Sequence, residues 1–219
     1  MEPRPVRRRL GARAQVGQFN WYRRQVAETR MRPEVAEVAA PPQGGGGRLR
    51  LRRRVTGSVW AVTMVRDEKD ILPTVITHLL DQGVDHVLVA DNLSQDGTYE
   101  YLRDLARRDP RVHVGRDTTV AYYQGAKMSY LARAAWRAGA DWVVPFDADE
   151  LWFAREGSLT HYLRGLDADV VGADWYDMVL LDDGPVGPTS SFLLDTTPNP
   201  LGKVAFRSHP LALLEIGNH

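Results

Sequence analysis

The chain reads as an α/β protein, a single domain with a mainly parallel central sheet flanked by helices. Three observations predict this. From residue 55 onward, apolar strand-like runs alternate with segments whose apolar residues recur at helical spacing. The runs are rich in Val and bounded by Gly, Asp and Asn, the residues that turn a chain. With 219 residues, 43% hydrophobic and 26% charged, the chain can bury one full-sized core and little more.

Each element follows in order. "SVWAVTMV" (58–65) is a buried-strand run, and "DILPTVITHLLDQG" (70–83) a helix with Pro73 in its first turn and Gly83 as its stop. "HVLVA" (86–90) is a second strand and "GTYEYLRDLARRD" (97–109) a second helix. A short strand, "VHVG" (112–115), leads to the helix "GAKMSYLARAAWRAG" (125–139), closed by Gly139. "WVVPF" (142–146) is the fourth strand. Beyond residue 151 the rhythm loosens into loops rich in Asp, Gly and Pro, with strands expected at 169–176 and 203–207. Connections between parallel strands should be right-handed.

The net charge of zero hides a division. Residues 1–54 hold fourteen Arg against four Glu, and 55–219 hold fourteen Lys plus Arg against twenty-four Asp plus Glu, so a basic arm precedes an acidic body. "PPQGGGG" (41–47) reads as a flexible linker, not a phosphate loop, because no Lys-Ser/Thr follows it. The division is therefore an extension over 1–54 and a folded domain over 55–219. The arm carries Trp21 and Tyr22 but does not interleave aromatics among its arginines, so a peripheral contact with a membrane surface fits it better than nucleic acid. The absence of cysteine excludes disulfides, thiolate metal sites and cysteine nucleophiles, and fits a reducing compartment. No apolar run is long enough to span a bilayer and no signal peptide is evident, so a cytoplasmic location is expected, the arm being a solvated, partly disordered extension or a peripheral membrane contact.

In open parallel sheets, ligands bind beyond the carboxyl ends of the strands. Three strands here end in polar clusters, "VTMVRDE", "VLVADNLSQDGT" and "VVPFDADE", and all three would open on one edge. Asp-Ala-Asp occurs at 147–149 and again at 167–169; the second copy precedes a strand and so belongs to the opposite edge, as turn residues. Carboxylates crowded as Asp147, Asp149 and Glu150 are repel one another unless a cation balances them. Hard divalent cations take oxygen ligands, commonly one or two carboxylates plus substrate phosphates, so Mn²⁺ or Mg²⁺ with a diphosphate would complete the cluster. In the middle cluster, Asp91 sits where a carboxylate can meet a base or ribose, and Asp96 or Thr98 suits a helix N-cap.

The order "VTMVRDE", "VLVADNLSQDGT", "WVVPFDADE" resembles the nucleotide-sugar-binding half of family 2 glycosyltransferases over roughly residues 58–153. The resemblance implies a GT-A (Rossmann-like) fold. It also implies transfer of a sugar from a nucleoside-diphosphate donor of the UDP or GDP type to a hydroxyl acceptor (glycan, lipid or small molecule), metal-dependent and inverting, as in hexosyl-type transferases. Thr63, Arg66 and Glu68 then fall in the nucleotide site, Asp91 at the base, Asp96 in the adjoining turn, and Asp147 and Asp149 on the metal and diphosphate motif. Gln124 and Lys127 stand where the family often carries an Ala-Arg-Asn-type motif, with Lys127 against the diphosphate. Asp149 and Glu150 join the catalytic set. The acceptor's proton would go to a carboxylate of the 174–183 region, with Asp177 chosen from Asp174, Asp177, Asp182, Asp183 and Glu215. Similar enzymes supply a late histidine to the metal, which makes His219 a candidate ligand. The Gln-x-x-Arg-Trp motif of processive synthases is absent. Two other readings are open, a nucleotidyltransferase, although "TMVRDEKD" lacks the glycines of its phosphate loop, and a non-catalytic nucleotide-sugar-binding protein.

Overall fold

In a computed structural model, which describes residues 53–120, 123–181, 186–187 and 189–214, the strand–helix alternation folds as a six-stranded sheet with helices on both faces. The elements are β1 (Val59–Val65), α1 (Leu72–Asp81), β2 (His86–Asp91), α2 (Thr98–Arg108), β3 (Val112–Arg116), α3 (Gln124–Ala138), β4 (Trp142–Pro145), α4 (Leu159–Gly165), β5 (Val170–Ala173), β6 (Met178–Leu180), β7 (Phe192–Leu194) and β8 (Lys203–Arg207). Strand order is β3-β2-β1-β4-β8-β5. β3, β2, β1 and β4 run parallel, while β8 is antiparallel to both β4 and β5. The basic arm and its glycine-rich linker lie outside the described residues, except that Arg54 reaches back to an ion pair with Asp141 at the start of β4.

Alternation along β1 feeds two cores. Val59, Ala61 and Val65 face one way, packed with Leu72, Val75, Ile76 and Leu79 of α1, Leu102 of α2, and Leu159 and Leu163 of α4. Trp60 and Val62 face the other way, against Met128, Leu131, Ala132 and Ala135 of α3. The split follows from handedness. The steps β1 to β2 to β3 move in one direction across the sheet and β3 to β4 moves back past β1, so right-handed connections put α1 and α2 on one face and α3 on the other. The four α1 residues are at most 1% exposed, and each stabilises the fold by about 1.5–3 kcal/mol. Gly83 ends this packing unit at φ +84, in the left-handed region, where an added Cβ would also collide with the Thr160 hydroxyl.

Three elements were not anticipated in the sequence. α4 is a short helix whose N-cap, Ser158, accepts a hydrogen bond from the His161 amide at 3.2 Å. β6 and β7 pair as a separate antiparallel ribbon whose Val179, Leu181 and Leu193 stay exposed. β5 is shorter than the expected 169–176 run, and Asp167 and Asp169 precede it as exposed residues on the edge away from the rim described next. Among the described residues no helix is long and apolar enough to cross a membrane.

Candidate active site

Strand order reverses beside β1, because the chain leaves it toward β2 and returns on its far side as β4. That reversal opens a crevice beyond the carboxyl ends of β1 and β4, the place where open α/β sheets bind ligands. "RDE" after β1 and "DADE" after β4 therefore flank the same crevice, and Asp91 closes β2 one strand away.

The loops after β1 and β2 are laced together. Asp67 accepts from the Gln95 amide at 2.6 Å, and its own amide donates to Ser94 Oγ at 2.9 Å. The Glu68 amide donates to Thr98 Oγ1 at 3.0 Å, and the Lys69 amide to Asp96 Oδ2 at 2.9 Å. These bonds hold two residues in left-handed backbone, Asp67 at φ 57 and Leu93 at φ 61. For leucine that conformation costs roughly 1–2 kcal/mol, and strain of this kind collects at functional sites.

Asp91 is fully buried at the floor of this rim. Its Oδ2 accepts a long 3.4 Å bond from the Ser94 amide, while Oδ1 has no protein partner. Burial pushes its carboxyl above the usual carboxylate range, opposed by hydrogen bonds from Ser94 and the nearby Arg116 charge. A buried acceptor without a donor is costly, and an N–H donor from a ligand would relieve it. Glu68 joins the β1 loop to the acidic turn: burial raises its carboxyl, and the Asp149 charge raises it further.

The acidic turn keeps the alternation of the strand that feeds it. Phe146, Ala148 and Trp152 are buried in the core, so Asp147 and Asp149 point the other way, Asp147 half-buried and Asp149 exposed. Its repulsion is answered from within the protein. Lys203, on the first residue of β8, sends its Nζ to Asp147 Oδ2 at 2.9 Å and Glu150 Oε1 at 2.5 Å, and stacks over the Trp175 ring at 4.7 Å. Glu150 Oε2 accepts from the Asp147 amide at 3.0 Å and from Trp152 Nε1 at 3.4 Å. Burial raises the Glu150 carboxyl, with the Lys203 bond opposing. Burial alone would lower the Lys203 ammonium, but its bonds to Glu150 and Asp147 leave it raised. Sequence reasoning missed Lys203, because a lone lysine 56 residues downstream carries no local signal.

Other expected site residues lie both in the core and at the surface. Lys127 is 2% exposed and spends its charge on Asp117, itself fully buried, and on the Thr119 carbonyl at 3.3 Å. The diphosphate role expected of it needs a cation in the crevice, and this one is enclosed beneath the loop after β3. Thr63 is buried within β1, its hydroxyl bonded to the Met64 carbonyl at 3.3 Å. Asp96 is exposed, but its carboxylate caps the Lys69 and Thr98 amides and the Thr98 hydroxyl, the last at 2.6 Å. Burial would raise its carboxyl, yet the Thr98 and Lys69 bonds together hold it low, as befits a turn residue. The N-cap position of α2 is Gly97 rather than Asp96 or Thr98. Arg66 is half-exposed at the rim, 4.0 Å from Asp67. Gln124 begins α3, half-buried. Asp177 is exposed between β5 and β6, just past the rim end of β5. Asp174 lies 3.9 Å from Arg155. His219, Asp182, Asp183 and Glu215 lie outside the described residues.

The donor set fits a hard divalent cation. Asp149 and the Asp147 oxygen not bonded to Lys203 offer oxygens only. Among the described residues no three or more metal-ligating side chains form a ready cage.

The chain matches the family model "Glycosyl transferase family 2" over residues 60–190. Among solved structures it is similar to residues 1–349 of TarS from S. aureus, at 18% identity and TM-score 0.36, covering 42% of this chain and 27% of that one. It is also similar to the mannosyltransferase PcManGT from Pyrobaculum calidifontis, a structure in complex with GDP-Man and Mn²⁺. There the identity is 21% and the TM-score 0.40, with 72% of this chain and 43% of that one covered. The chain thus spans less than half the length of either structure. None of the curated proteins compared with it matches.

Proposed function

The chain belongs to glycosyl transferase family 2, and on that premise we propose that it transfers a sugar from a UDP- or GDP-type donor to a hydroxyl acceptor, using Mn²⁺ or Mg²⁺ and inverting the anomeric centre. The observation that supports this reading is that the loops carrying Glu68 and Asp149 leave adjacent parallel strands on the rim where strand order reverses, near enough for the Asp149 charge to raise the Glu68 carboxyl, with the unpartnered Asp91 oxygen at the end of β2.

In this reading Asp91 Oδ1 accepts an N–H of the donor's base, and the half-exposed Arg66 guanidinium reaches the donor's phosphates. Asp147 and Asp149 would hold the divalent cation, which supplies positive charge to the departing diphosphate when bound. Asp177, exposed beyond the rim end of β5, takes the proton of the acceptor hydroxyl. The hydroxyl oxygen then bonds to the anomeric carbon from the face opposite the breaking C–O bond. The electron pair of that bond leaves with the nucleoside diphosphate, and the configuration inverts.

The test is turnover of labelled UDP- and GDP-sugars, with and without Mn²⁺, in the presence of glycan, lipid and small hydroxyl acceptors. Metal-dependent release of the nucleoside diphosphate coupled to a new glycoside supports the reading. Nucleotide binding with no transfer to any acceptor would instead favour a binding protein.

A further inference from the structure

The acidic turn already has a resident cation, and its geometry divides the carboxylates into those that are spent and those that are left. Both Glu150 oxygens are engaged, Oε1 by Lys203 and Oε2 by the Asp147 amide and the Trp152 indole. Asp147 gives Oδ2 to the same ammonium. Lys203 is held on three sides, since Trp175 lies under it at 4.7 Å and its side chain is 5% exposed. What remains for a second cation is one oxygen of Asp147 and the exposed Asp149.

We propose that Lys203 is a positioning residue that makes capture of a divalent cation at Asp147 and Asp149 depend on a diphosphate bound in the same crevice. The inference rests on the reading of this rim as a donor site and goes beyond it by assigning an order of assembly. The physical argument is charge balance. A buried ammonium sharing Asp147 with an incoming ion repels that ion, and a single and a double positive charge about 5 Å apart at an effective dielectric near 20 oppose each other by on the order of 10⁵-fold in affinity before solvent screening. A diphosphate brings negative oxygens that outweigh the repulsion and add ligands, which the thin carboxylate set needs. The same ammonium prevents Asp147 and Glu150 from repelling each other while the crevice is vacant, so the turn holds its shape without metal. Lys203 can act here because β8 runs antiparallel to β4. The pairing Val143↔Phe206, carried onward, brings Lys203 level with Phe146, beside Asp147.

The experiment is titration of the protein with Mn²⁺ alone, followed by the loss of the free-ion electron paramagnetic resonance signal, for the parent, Lys203→Met and Lys203→Arg. Circular dichroism checks that each variant is folded. Lys203→Met should bind Mn²⁺ without nucleotide about tenfold or more tightly than the parent. Lys203→Arg, which keeps the charge, should match the parent. Unfolding or a loosened turn would weaken binding, so tightening separates this role from a merely structural one. Unchanged or weaker binding by folded Lys203→Met overturns the proposal. Should Lys203→Met not fold, the parent decides: Mn²⁺ binding about tenfold or more tighter with saturating UDP or GDP than without supports it, and equally tight binding without nucleotide overturns it. A parent that transfers sugar with Mn²⁺ while Lys203→Met fails to tighten refutes this inference and spares the transferase reading. Tightening in a protein that transfers no sugar does the reverse.

Discussion

Replacing Lys127 by Met distinguishes the two roles open to this residue. As a cation facing a diphosphate, its loss would weaken donor binding and leave the fold intact. The structure instead pairs it with Asp117, the two side chains being 2% and 0% exposed. Asp117 also accepts from Asn92 Nδ2 at 2.9 Å and from the Thr119 amide at 3.0 Å, so the pair anchors the ends of β2 and β3. Removing one partner of a buried ion pair strands the other charge and costs about 3–5 kcal/mol. Against a total stability of roughly 5–15 kcal/mol for a domain, that is about a fifth or more. Urea unfolding followed through the buried indoles of Trp60 and Trp142 reads the loss as a lower midpoint at constant slope. Asp117→Asn should also destabilise, and Lys127→Met with Asp117→Asn should cost less than the two changes together, by about 1–3 kcal/mol of coupling. A loss below about 1 kcal/mol for Lys127→Met, or strict additivity in the cycle, would refute the assignment of this pair as a buried anchor.

Other outcomes are expected. Asp149→Ala alters an exposed side chain, so its urea midpoint should shift by no more than about 0.5 kcal/mol while metal-dependent sugar transfer falls at least about a hundredfold; undiminished transfer removes Asp149 from the site. Asp91→Asn bears on pH. Burial raises the Asp91 carboxyl above its ordinary value of 3.8, so the native state retains a proton that the unfolded chain has released. Its contribution is therefore present below 3.8 and is lost as pH rises through the folded value, and Asp91→Asn should flatten that decline in urea midpoints while weakening nucleotide binding. Gly97→Ala places a methyl at φ +93, close only to the flexible Lys69 side chain, so backbone strain sets the cost at about 1–2 kcal/mol. Gly165→Ala, with nothing within 4 Å of the added carbon, should instead be neutral or slightly stabilising by urea titration.

How much of the site was legible depends on the range over which each signal acts. β4 is buried throughout, but its side chains alternate between the two cores, and Phe146 and Ala148 continue the face of Trp142 and Val144, which leaves Asp147 and Asp149 together on the other side. The paired roles of Asp96 and Thr98 as turn residues were likewise written locally, in Ser, Asp, Gly and Thr. α4 left a faint signal in Ser158, but a seven-residue helix offers too few turns for periodicity to register. β6 and β7 are three residues each, with apolar side chains on both faces, and give no period to read.

The amino-acid order by itself determined the α/β alternation, the parallel run of the first four strands and the set of polar clusters at their ends, because these rest on side-chain period and turn chemistry within a few neighbours. Only the tertiary structure decided which charges neutralise which. Lys127 and Lys203 are both lysines in polar-looking segments, yet one is sealed under the β3 loop against Asp117 and the other meets Asp147 and Glu150 at the rim. The partner of a charge is chosen by strand order and by the direction of β8, which join Lys203 to Asp147 across 56 residues and Arg207 to Asp141 across 66, and no local pattern records that choice.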